Sequence, residues 1–117
     1  MKWRVNRYLL VGVVFILAAG SATGASMSLL EAAWKGDTEK VQALLAKGAD
    51  VNAKAVYGTT ALMFAALEGH TDIVQALLEK DADVNAKAVY GTTALMTAEK
   101  KGHKEVVQLL KKAGAKE

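Results

Sequence analysis

Fifteen consecutive residues, ADVNAKAVYGTTALM, occur twice without a change, at 49–63 and again at 82–96. The register of 33 residues that relates them continues on both sides. Ala33-Trp34-Lys35-Gly36 aligns with Ala66-Leu67-Glu68-Gly69 and with Glu99-Lys100-Lys101-Gly102. Val41-Gln42-Ala43-Leu44-Leu45 aligns with Val74-Gln75-Ala76-Leu77-Leu78 and with Val107-Gln108-Leu109-Leu110-Lys111. A fixed period of this size, seen three times, means a stacked array, because one unit alone has no second surface against which to bury its apolar face.

Each unit carries two short helical patterns. Leu62, Ala65 and Ala66 stand at i, i+3 and i+4, as do Val74, Leu77 and Leu78. Gly69 breaks the first pattern, and His70 or Thr71 starts the second. Glu39, Asp72 and Glu105 each fall in the first turn of a second helix, where the helix dipole favours an acid. Ala65 and Ala66 leave room for close helix approach. A polar loop containing Asp50 or Asp83 then leads to the next unit.

The words GTTALMFAALEGHTDIVQALLEKDADVNA, with partial copies before and after, resemble the ankyrin repeat. The resemblance runs over about residues 28 to 115 and its wording is similar to that of bacterial members. It implies an all-α solenoid of three stacked helix-turn-helix units with short hairpin loops. The units fall at about 28–60, 61–93 and 94–117. The family's Thr-Pro-Leu-His is Thr60-Ala61-Leu62-Met63 here, and Thr93-Ala94-Leu95-Met96 in the next unit. Threonine remains as a cap, while the proline and the histidine are gone. Lys111 takes the place of Leu45 and Leu78, giving the last helix the polar outer face that a terminal repeat needs. Short helices in a stack of only three units predict modest stability.

Residues 1–25 read differently. Met1 to Tyr8 is short and basic, Leu9 to Ala19 is apolar, and small residues follow. This is the layout of a cleaved secretory signal peptide. The alternatives are an uncleaved anchor, for which the apolar run is about half of the roughly 20 residues a span needs, and a buried N-terminal helix. Ala22 with Gly24, Thr23 with Ala25, and Gly20 with Ala22 all suit the −3 and −1 positions. The expected product, residues 26–117, is periplasmic or secreted, with no membrane attachment after cleavage.

Charge sharpens the picture. Lys2, Arg4 and Arg7 account for three of the fifteen basic residues, leaving twelve against twelve acids from Ser26 onward. A neutral body has no reason to collect phosphate backbones, so nucleic acid is not an expected partner. From Ser28 to Thr93 there are six lysines and nine acids; from Ala94 on there are six lysines and three acids. The lysines of the last unit form either a solvated end face or an electrostatic docking patch.

Enzyme chemistry has no candidate machinery. There is no cysteine, and the serines, Ser21, Ser26 and Ser28, cluster at the processing region. His70 and His103 occupy equivalent turns in neighbouring units without an evident third ligand, so no metal and no other cofactor is expected.

The expected function is protein binding. Val56-Tyr57-Gly58 and Val89-Tyr90-Gly91 form the hairpin tips. An exposed apolar and aromatic pair repeated in adjacent units marks a contact surface. The plainer reading is that the tips pack on each other, or repeat only through duplication. The resemblance adds the exposed end of each first helix: Trp34 and Lys35, Leu67 and Glu68, Lys100 and Lys101. Trp34 serves equally well as a cap over the first unit. Two other roles stay open, a self-associating structural protein (a weak homodimer) and a secreted host-directed effector.

Overall fold

The computed structural model describes residues 24–116. Residues 1–23, most of the expected leader, lie outside the described residues, and Gly24 and Ala25 open the first helix. Among the described residues six α-helices follow one another as three antiparallel pairs: α1 (Gly24–Lys35) with α2 (Thr38–Ala46), α3 (Ala61–Glu68) with α4 (Thr71–Glu79), and α5 (Ala94–Lys101) with α6 (Lys104–Lys112). Among the described residues the only bridge between extended segments joins Lys54 to Thr60.

Local chemistry sets the helix ends. The Thr60 hydroxyl accepts the Met63 N–H at 3.3 Å, and Thr93 does the same for Met96 at 3.2 Å. Threonine thus caps both first helices although proline is missing after it. Gly69 and Gly102 close α3 and α5 in the left-handed conformation, with φ of 74° and 76°, the residue of choice for such a stop. His70 and His103 stand at the N-cap positions of α4 and α6. At the corresponding turn of the first pair, Asp37 accepts the Lys40 N–H at 3.1 Å instead.

Helices of eight or nine residues do not hold alone; the stack holds them. The first helices α1, α3 and α5 pack in a row, and α2, α4 and α6 form a second row behind them. Ala32, Ala33, Ala65, Ala66 and Ala98 are all buried, so the first row closes tightly. Larger residues, Val41, Ile73, Val74, Leu77, Val106 and Leu110, fill the second row and the space between rows. Open grooves remain between the outer helices, lined by Gln42 and Gln75 on one side and by Gln75 and Gln108 on the other. The first helices meet more extensively than the outer ones do, the arrangement that curves a stack so that its α1, α3 and α5 side is concave.

The loops add a second line of cohesion. The Asn52 side-chain oxygen accepts the Asp83 N–H at 2.7 Å, and that of Asn85 accepts the Lys116 N–H at 2.9 Å. Ser26, buried in α1, accepts the Asp50 N–H at 3.3 Å and makes the first rung of the same ladder. Within each loop the aspartate folds the chain back on itself: Asp50 accepts from Asn52 and Asp83 from Asn85. The repeated Asp-Val-Asn words are therefore a connector between units.

Both ends of the stack are polar. Exposed Lys111 stands where Leu45 and Leu78 face a neighbour, as expected from the sequence. Two further replacements act alike. Glu99 is exposed where Ala33 and Ala66 are buried, and Lys40 is exposed where Ile73 and Val106 are buried.

Candidate protein-binding face

The hairpin tips are built from backbone geometry that aromatic residues rarely adopt. The Ala55 N–H donates to the Thr59 carbonyl at 2.8 Å and the Gly58 N–H to the Ala55 carbonyl at 3.1 Å. Closing the turn this way forces Tyr57 to φ 66°, ψ 15°, and Tyr90 in the next copy to φ 63°, ψ 19°. Left-handed backbone at a non-glycine residue costs about 1–3 kcal/mol and persists only where the surroundings impose it. Gly58 and Gly91 follow with φ of 74° and 73°, so each tip places two left-handed residues in succession. A β-carbon on Gly58 would lie 3.5 Å from the Ala88 α-carbon, which shows how closely the first hairpin approaches the second.

The tyrosine rings gain little burial in return. Tyr57 is 68% exposed and Tyr90 97%. Their partners differ from expectation: Val89 is exposed, but Val56 is half-buried. The first tip therefore approaches the second at Gly58 and Ala88, while both tyrosines turn outward. Stacking and exposure coexist, on different residues of one hairpin.

The inner helices present three positions each, in register. Glu31, Phe64 and Thr97 form one line; Trp34, Leu67 and Lys100 a second; Lys35, Glu68 and Lys101 a third. Trp34, Phe64 and Leu67 are half-buried, while Lys35, Glu68, Lys100 and Lys101 are exposed. Lys35 Nζ lies 2.7 Å from Glu31 Oε1, an exposed pair one helical turn apart that adds only about 0.3–0.5 kcal/mol. Phe64 was not singled out by sequence reasoning. The signal lay in its register: it aligns with Glu31 and Thr97, polar residues that mark an outward position.

The two histidines hold this row rigid. His70 Nε2 lies 3.3 Å from the Trp34 carbonyl, and His103 Nε2 lies 3.0 Å from the Leu67 carbonyl. With the Nε2 proton present, each histidine donates to the helix end of the preceding pair. The backbone carrying Trp34 and Leu67 is thereby fixed before any partner arrives.

Chemically this surface offers apolar area, phenol hydroxyls and lysines on a rigid frame. Among the described residues no group of three or more histidines, cysteines or acids is placed to hold a metal ion. None of the helices described is long and apolar enough to cross a membrane.

No curated protein matches the chain. The family model of ankyrin repeats, in three copies, matches residues 29–117. Repeats of this type are in general non-catalytic modules for protein–protein interaction. With three helix pairs in a single register, joined by short hairpins and matched over that whole span, the chain belongs to the ankyrin-repeat family.

Proposed function

We propose that this is an exported protein-binding module whose partner docks across the hairpin tips and the concave row of first helices. The observation that carries the reading is the pair of tyrosines held outward in left-handed turns. Tyr57 and Tyr90 accept backbone strain while staying largely exposed, and strain of this kind gathers at functional positions. Trp34 and Leu67 lie on the concave side, half-covered and pinned through their carbonyls. A preformed surface loses little conformational freedom on binding, so apolar contact translates efficiently into affinity.

Export rests on the basic, apolar and small-residue segments of residues 1–25. The partner then resides in the periplasm or outside the cell. Fractionation of cells and medium, followed by mass measurement of the mature chain, tests this. Retention of residues 1–25 on a cytoplasmic protein overturns it.

The docking reading is tested with the protein purified from the exported fraction, beside a Tyr57→Ser/Tyr90→Ser variant shown to fold by helical circular dichroism. A partner held by the parent and lost by the folded variant supports docking at the tips. Equal capture by both moves the contact to Trp34 and Leu67 alone. A parent that captures nothing and runs as a dimer replaces the reading with self-association.

A further inference from the structure

Following the first helices from one end of the concave face to the other, the chemistry changes at equivalent positions. Trp34 and Leu67 give way to Lys100, and Lys35 and Glu68 to Lys101. Lys35 already has its counter-charge, Glu31, one turn before it on the same helix. The residue one turn before Lys101 is Thr97, whose hydroxyl donates to the Thr93 carbonyl at 3.0 Å. The residue one turn before Lys100 is Met96, 49% exposed. Among the described residues neither Lys100 nor Lys101 makes an ion pair.

Among the described residues no other acid takes this role. Glu99 is adjacent in sequence and so points along a different face of the helix. Glu68 lies one helix away in the row of Lys101, and Glu105 belongs to the outer helix α6. Lysines in the last turn of α5 do favour its dipole. Lys35 has the same placement in α1 but is neutralised, so the dipole does not explain why the α5 pair is left without an acid.

Resting on the docking face proposed above, we infer that the partner presents an acidic segment laid across the stack in one direction. Its apolar side chains cover Trp34 and Leu67, and its carboxylates meet Lys100 and Lys101. Neighbouring helices lie about 8–10 Å apart, and an extended chain advances about 3.3–3.6 Å per residue. The acid therefore follows the apolar anchor by roughly three residues. The two lysines would select this segment over neutral and basic ones and set its direction, the usual contribution of charge at an interface.

The test uses a displayed library of random twelve-residue peptides panned over the full chain. It is panned in parallel over Lys100→Glu/Lys101→Glu and the milder Lys100→Gln/Lys101→Gln, each checked by circular dichroism. The parent is expected to enrich peptides with Asp or Glu about three residues from an aromatic or aliphatic residue. A synthetic copy of the leading peptide, followed by fluorescence anisotropy, is expected to bind the Gln variant about tenfold more weakly and the Glu variant more weakly still. Its affinity also falls as salt shortens the reach of the charges. Enriched peptides without acids, or an affinity unchanged in both variants, overturn the acidic assignment while leaving the docking face intact, with the lysines as a solvated end. No enrichment by the parent overturns the docking face itself and this inference with it.

Discussion

The His103 ring lies directly over Gly69: a β-carbon added to that glycine would fall 2.7 Å from His103 Nδ1. The same contact joins His70 to Gly36, where the nearest ring atom would be 2.7 Å away. Each glycine thus serves two purposes, a left-handed helix stop and the space for the next unit's histidine. Gly102 has the same backbone, φ 76°, but nothing within 4 Å of its missing β-carbon. Gly102→Ala is expected to cost about 1 kcal/mol, the backbone term alone. Gly69→Ala is expected to cost about 1 kcal/mol more, from the displaced ring. Urea unfolding of the two variants measures the difference, and equal midpoints would discard the steric account.

Met63 and Met96 make a sharper pair, because they close two identical stretches. Met63 is 4% exposed and Met96 is 49% exposed. Met63→Ala is expected to cost about 2–4 kcal/mol, and Met96→Ala less than about 1 kcal/mol. Chemical denaturation of both variants under one set of conditions provides the check. A cost at Met96 matching that at Met63 would mean that something covers the end of the stack in solution.

The asparagine ladder predicts a local signature. Asn52→Ala removes the acceptor for the Asp83 N–H. Stability is expected to fall by about 1 kcal/mol. Amide exchange at Asp83 is expected to accelerate about tenfold more than at core positions such as Leu77. Uniform acceleration along the chain would assign the effect to global stability instead.

Strain at the tips predicts opposite movements of stability and binding. Asparagine tolerates left-handed backbone better than tyrosine. Tyr57→Asn and Tyr90→Asn are each expected to raise stability by up to about 1 kcal/mol while weakening partner capture. If thermal melting shows both variants less stable, the rings contribute packing that their exposure does not reveal.

The absent proline predicts a gain. Thr60 has φ −98°, ψ 167° and Thr93 has φ −114°, ψ 166°, conformations compatible with a following proline. Ala61 and Ala94 occupy the first helical position, whose N–H has no intrahelical acceptor. Ala61→Pro and Ala94→Pro are each expected to stabilise by about 0.4–1 kcal/mol by restricting the unfolded chain. A lower melting temperature would mean that these buried sites lack room for the ring.

Much of the fold is legible along the chain because its determinants are local. The 33-residue register, the Thr60 and Thr93 caps, and the Gly69 and Gly102 stops specify where helices begin and end. The outward tyrosines of the candidate face were legible too. Phe64 was not, since an aromatic residue inside an apolar helix reads as core until its register with Glu31 and Thr97 is compared. Nor was the half-burial of Val56, since Val89 has the same local sequence and is exposed.

By itself the sequence determined that two stretches would take the same local shape, and they did. The turn angles at Tyr57 and Tyr90 agree within a few degrees. It had no means of giving those copies different environments, because their residues are identical. Only the stack decided that Ala55 and Met63 are covered while Ala88 is half-open and Met96 exposed. The physical reason is the one-dimensional order of the solenoid. These positions receive their burial from the unit that follows, and that unit is not part of their own sequence.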